Sequence, residues 1–160
     1  MMNNDALKEL VAQGLSAMKA GGDVAAKATD EIGNDASAPE LKQALDDGNR
    51  ASQQWKERIE RAEQAAGGGQ QGDNKVLEAH YEVSRLIRQQ APDQSSRDLG
   101  IIASSQLALH YWIASFGTMA NYTKQLGMED VARELKQSAD EAKQADERYT
   151  QIAEQLLAQG

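Results

Sequence analysis

Apolar residues recur every three or four positions along four long stretches of this chain, and that spacing limits its fold more than any other feature. Residues so spaced fall on one side of an α-helix, giving each stretch an apolar stripe and a polar face. The first stripe runs from about Asp5 to Ile32 through Leu7, Val11, Leu15, Met18, Gly22, Ala25, Thr29 and Ile32. Gly21-Gly22-Asp23 in its middle predicts a kink or a break, with Asp23 placed to cap a restart. Gly33-Asn34-Asp35-Ala36-Ser37 reads as a turn. The second stretch starts near Pro39, a favoured first-turn residue, and carries Leu41, Leu45, Gly48, Ser52, Trp55, Ile59, Ala62 and Ala66. It stops at Gly67-Gly68-Gly69.

The third long stretch, from about Asp98 to Leu126, is broadly apolar and predicts the most buried helix. One of its seams holds Leu99, Ile102, Gln106, Leu109, Ile113, Phe116 and Ala120; a second holds Ile101, Ala108, Trp112, Met119 and Tyr122. Gly127 suits the position just past its end. The fourth runs from Met128 to about Gln159, with Val131, Leu135, Ala139, Ala142, Asp146, Tyr149, Ala153 and Leu156 inward. Between the second and third lies a connection from Gly67 to Arg97. It holds a short helix capped by Asp73 and ending near Gln90, with Leu77, Tyr81 or His80, Ser84 and Ile87 on one side. So long a crossover lets the helices on either side of it run parallel. Four amphipathic helices bury their stripes against one another as a four-helix bundle, all-α, expected as one domain over residues 1–160.

Composition agrees, and it excludes several functions. Only 4% of residues are aromatic, and the Ala-, Gln-, Leu- and Glu-rich remainder favours helix over sheet. A net charge of −8 argues against nucleic acid and against an anionic membrane surface. The absence of cysteine removes disulfides, thiol catalysis and thiolate metal sites. The opening Met1-Met2-Asn3-Asn4-Asp5 lacks a leader pattern, and no apolar run would span a bilayer, so a cytoplasmic location is expected. His110 near Ser104 lacks an orienting carboxylate for a hydrolytic triad, and Gly67-Gly68-Gly69 lacks the Lys-Ser/Thr of a phosphate loop.

Particular motifs carry a resemblance. Asp98-Leu99-Gly100-Ile101-Ile102-Ala103-Ser104-Ser105-Gln106, continuing into His110-Tyr111-Trp112-Ile113-Ala114-Ser115-Phe116-Gly117-Thr118, closely resembles the third helix of the YciE/YciF family. Lys124-Gln125-Leu126-Gly127-Met128-Glu129 and Asp140-Glu141-Ala142-Lys143-Gln144-Ala145-Asp146-Glu147 are similar to its following loop and fourth helix. Pro39-Glu40-Leu41-Lys42 through Arg58-Ile59-Glu60 looks like its second. The resemblance implies a ferritin-like four-helix bundle with a long crossover, a homodimer and an association with stress. It also implies a di-metal centre, built in typical members from carboxylates and a histidine on the inward faces.

At those positions this chain departs from the pattern. The first-helix glutamate corresponds to Gly22, with Asp23 beside it, and the second-helix histidine to Gly48, preceded by Asp46 and Asp47. The third helix reads Leu109-His110-Tyr111-Trp112 where the family has Glu-His-Tyr-Glu. In the fourth, paired glutamates become Glu141-Ala142, and Asp146 is kept. Gly22, Gly48, Leu109 and Ala142 also fall on the inner stripes, mid-helix. The expectation is therefore no catalytic residue, no metal and no cofactor. Gly22, Gly48, Leu109, Trp112 and Ala142 mark the former metal site, and Trp112 with Leu109, and Trp55 as a further filler, plugs its volume.

Asp146, Glu141, Asp47, Asp46 and His110 are residual ligand candidates. The plainer readings are Asp146 paired with an arginine or hydroxyl, Glu141 as a salt-bridged flank and His110 as a partly buried hydrogen-bonding residue. His80 is expected near the surface. The leading function is a non-catalytic structural or interaction protein, homodimeric, linked to stress by resemblance. Two alternatives stand beside it: a metal-binding oxidoreductase or iron-handling protein using Asp23, Asp46, Asp47, Glu141 and Asp146, and a small-ligand binder using space left by the vanished metal.

Overall fold

The computed structural model describes residues 3–69 and 71–159; Met1 and Met2, part of the leader-pattern reading, lie outside them. Five helices follow one another: α1 (Asn4–Asp35), α2 (Pro39–Ala65), α3 (Lys75–Gln90), α4 (Gln94–Gln125) and α5 (Glu129–Ala158). The long helices α1, α2, α4 and α5 form the bundle in the cyclic order α1, α2, α5, α4, and α3 lies along α1 and α4. Asp98, near the start of α4, binds the backbone at the start of α2, so these two helices run parallel, as the crossover length predicts. α5 returns antiparallel to both.

Local chemistry sets most of the boundaries. The Asn3 carboxamide accepts from Asp5 N at the start of α1. Pro39 opens α2, and a positive-φ glycine, Gly127, follows α4. Four boundary expectations need correction, the first being the turn at Gly33-Asn34-Asp35-Ala36-Ser37, of which Gly33, Asn34 and Asp35 are the last residues of α1. α1 is unbroken through Gly21 and Gly22, and Asp23 caps nothing: its carboxylate receives Lys56 Nζ at 3.2 Å. Asn74, not Asp73, caps α3, its side chain accepting from Leu77 N at 3.0 Å. α4 starts one turn early, at Gln94, because the Asp93 carboxylate accepts from Ser96 N at 2.7 Å.

The buried side chains form two clusters along the bundle axis. The larger contains Leu7, Val11, Leu15, Met18, Trp55, Ile59, Leu77, Trp112, Phe116 and Leu135. The smaller, at the end where α1 turns into α2, contains Leu41, Ile101, Ile102, Tyr149 and Ile152. Each fully buried aliphatic side chain stabilises by roughly 1.5–3 kcal/mol. α4 supplies more buried residues than any other helix, in line with its apolar sequence. On α3 the inward line is Leu77, Tyr81, Ser84 and Arg88; Ile87, expected there, is one third exposed.

Candidate functional site

Between the two clusters the stripes carry short side chains, and the helices do not close on each other. Ala25 and Thr29 of α1, Gly48 of α2, Ala108 of α4 and Ala145 of α5 face a common space of about 370 Å³. Trp55 and Trp112 border it on the side of the larger cluster, Ile101 and Tyr149 on the other, and Tyr81 of α3 also lines it. Exposed Ser52 and Gln144 mark its mouth between α2 and α5. Such a volume kept dry would cost several kcal/mol at roughly 24 cal/mol per Å³, so the polar lining and the open mouth are what make it tolerable.

Of the five positions at which a former metal site was expected, three border this space: Gly48, Leu109 and Trp112. Ala142 is fully buried in the larger cluster, and Gly22 is not part of the lining. Trp112 is 6% exposed and packs with Trp55 (centroids 6.2 Å) and Phe116 (5.5 Å). These rings cover one side of the space without filling it, since a Cβ added to Gly48 would meet no described atom within 4 Å.

The residual acidic candidates are dispersed. Glu141 reaches the cavity wall, where Arg58 grips it with two N–H donors at 2.8 and 3.1 Å. Trp55 Nε1 donates to it at 2.8 Å and Gln137 at 3.0 Å. Burial pushes the Glu141 carboxyl up, but the bonds from Arg58, Trp55 and Gln137 outweigh it, and its pKa lies below the ordinary value. Asp47, at the mouth, accepts from Arg148 across to α5 at 2.6 Å and from Arg50 on its own helix. The Arg148 and Arg50 bonds bring its pKa down to about 2. Asp46 is exposed.

Asp146 is not on the cavity: its Oδ2 lies 3.0 Å from His110 Nε2, and its Oδ1 is buried with no hydrogen-bond partner among the described residues. Its partner is thus a histidine, not the arginine or hydroxyl expected. His110 itself is exposed, not partly buried, as are Ala103, Leu107 and Ala114 on the same side of α4. Among the described residues no three His, Asp or Glu side chains are grouped so as to hold a metal ion.

One group of the site escapes the stripe reading, and others on the stripes carry polar chemistry that the reading does not assign. Arg58 is charged yet 9% exposed. His80 is half-buried on the cavity wall, its ring edge-on to Tyr81 at 4.9 Å, and burial pushes its pKa down. Burial pushes the Tyr81 phenol up to about 12. It does the same to Tyr149, against the opposing influence of the Ser105 hydroxyl and the Arg148 charge. Both phenols therefore stay protonated over the physiological range and offer O–H donors.

Comparison with known proteins follows the same lines. The protein YciF of Escherichia coli (strain K12) is 33% identical over 78 residues, a match spanning 49% of this chain and 47%, about half, of that protein. The crystal structure of the Escherichia coli stress protein YciF superposes with a TM-score of 0.91 at 23% identity, covering 96% of this chain and 98% of that one. YcfI of Rhodopseudomonas palustris, described as a candidate structural protein, superposes with a TM-score of 0.85 at 23% identity, covering 90% and 92%. These likenesses establish the fold as the helical, ferritin-like one. The family described as a domain of unknown function, DUF892, matches residues 6–160, so this chain belongs to that family, the YciE/YciF family.

Proposed function

We propose that this protein is a non-catalytic ferritin-like bundle with a structural or interaction role in the stress response, its family's di-metal centre lost. The observation that carries this reading is the engagement of Glu141. With Asp47 it is one of two carboxylates among the described residues that line the space, and a two-pronged guanidinium and an indole N–H already hold it. Around it, Gly48, Leu109, Trp112 and Ala142 offer no side-chain donor to a cation. The residues present do not fit a pair of metal ions. A rearranged acidic set fares no better, since Asp23, Asp47 and Asp146 are drawn to Lys56, Arg148 and His110 respectively. The descriptions of the relatives, one as structural and one as a stress protein, lend support.

Protein purified without chelators should carry well under one equivalent of iron, manganese or zinc per chain by elemental analysis. About two equivalents, lost on substitution of Glu141 or Asp146, would reverse the reading. A cytoplasmic location and a homodimer belong to the same proposal. Val76, Val83 and Leu86 are 65%, 54% and 51% exposed along α3, apolar surface that a second copy would cover. Sedimentation at micromolar concentration should give a dimer, and Val83→Lys with Leu86→Lys a monomer; a monomeric parent removes this part.

A further inference from the structure

We propose that the space between the two hydrophobic clusters is a binding site for a small, uncharged aromatic alcohol or a similar ring-bearing molecule with a hydrogen-bonding edge. Its volume, about 370 Å³, falls in the range of small-molecule sites, roughly 300–1,000 Å³. The apolar part of its lining is aromatic and aliphatic, with Trp55 and Trp112 on one side and Leu45 and Ile101 on the other. Flat rings pack against such walls with little loss of internal freedom.

The polar part selects against charge. Each ionised group on the lining is already answered by a protein partner: Asp47 by Arg148, and Glu141 by Arg58. A charged ligand would have to displace one of these pairs or enter without a counter-ion. Tyr81 of α3 and Tyr149 of α5 line the space, with His80 beside Tyr81, and these are the hydrogen-bonding side chains that an uncharged ligand would use. A polar edge directed at the phenols and a ring laid on the tryptophans use both halves of the wall. The mouth at Ser52 and Gln144 gives a way in.

The chain has only two tryptophans, and both line the site, so their indole N–H signals report occupancy directly. The probe is 2-naphthol, titrated into the intact protein by calorimetry and by ¹H–¹⁵N correlation spectra, with 2-naphthoate as its charged counterpart. The expected result is saturable binding with Kd on the order of 10–100 µM for about 11 heavy atoms. The Trp55 and Trp112 indole signals should shift together, and 2-naphthoate should bind at least 10-fold more weakly.

Gly48→Leu places a side chain where an added Cβ meets no described atom within 4 Å. It exchanges a poor helix former for a good one, so the bundle should keep its thermal midpoint while affinity falls at least 10-fold. Tyr149→Phe, which removes one hydroxyl, should weaken binding about 3- to 10-fold. The proposal fails if 2-naphthol gives no saturable signal up to millimolar concentration. It fails equally if both variants bind as the parent does, or if 2-naphthoate binds as tightly as 2-naphthol.

Discussion

A Cβ built on Gly21 would stand 2.5 Å from Asn74 Nδ2 and 2.9 Å from Leu77 Cδ1, at the point where α3 begins against α1. Asn74 cannot step aside cheaply. Its Nδ2 donates to Ala17 O at 2.9 Å and to the Tyr111 hydroxyl at 2.7 Å, and its Oδ1 accepts from Leu77 N. Gly22, the next residue, has nothing described within 4 Å of an added Cβ and sits in regular helix. The two substitutions should therefore differ in sign. Gly21→Ala should lower stability by about 1–3 kcal/mol through forced repacking, and Gly22→Ala should raise it by about 0.5–1 kcal/mol through helix propensity. Urea denaturation of the two single variants checks both. In the sequence the pair reads as a helix breaker, because glycine is costly in any helix interior. The close approach that requires Gly21 comes from a segment more than fifty positions further on, and no local pattern carries that information.

Helix α2 begins at Pro39 after Ala38, whose side chain cannot accept a hydrogen bond. The cap comes instead from α4. Asp98, 3% exposed, accepts from Ser37 N and Ala38 N at 2.8 Å each and from Ser37 Oγ at 2.6 Å. Its charge also faces the positive end of the α2 dipole. Asp98→Ala would strand these donors in a half-buried turn. Hydrogen bonds to a charged group are worth about 1.5–3 kcal/mol, so a loss of roughly 3 kcal/mol is expected in chemical denaturation. A loss under 1 kcal/mol would mean that water takes over the cap.

The four long helices and the crossover helix are legible from period alone, because each apolar stripe is a property of its own segment. The ties between helices are less so. Asp98 and Arg58 read as ordinary charged residues, which are mostly solvated, and only the assembled bundle turns them inward. The candidate site divides in the same way. Gly48, Leu109 and Trp112 are legible as mid-stripe positions, whereas Tyr81 and His80 depend on how the crossover packs.

At the scale of the whole molecule, the groups with displaced pKa values on the cavity wall are distributed so that unfolding should depend on pH at both extremes. Asp47, brought from 3.8 down to about 2 by Arg148 and Arg50, and Glu141, lowered from 4.5, bind protons less readily folded than unfolded. Their contribution is complete above their ordinary values and disappears as pH falls through the lower folded ones. Tyr81 and Tyr149 do the opposite. Raised from 10.0 to about 12, they hold protons that the unfolded chain has released, so their contribution is complete below pH 10.0 and lost toward pH 12.

Stability measured by urea unfolding should therefore be flat from about pH 7 to pH 9, decline first below pH 6.5 as the unfolded chain protonates His80 more readily than the folded one, and fall further at each extreme. Asp47→Asn and Glu141→Gln should flatten the acid limb, and Tyr81→Phe with Tyr149→Phe the alkaline one. Absorbance near 295 nm gives an independent reading of the phenols: Tyr81 and Tyr149 should ionise toward pH 12 in the folded protein and near pH 10.0 in urea. An alkaline limb that persists in the double phenylalanine variant would shift its origin to the lysines. Ionisation of Tyr81 and Tyr149 near pH 10 in the folded protein would mean that the cavity wall is open to bulk water, and the selection against charge argued for this site would lose its physical basis.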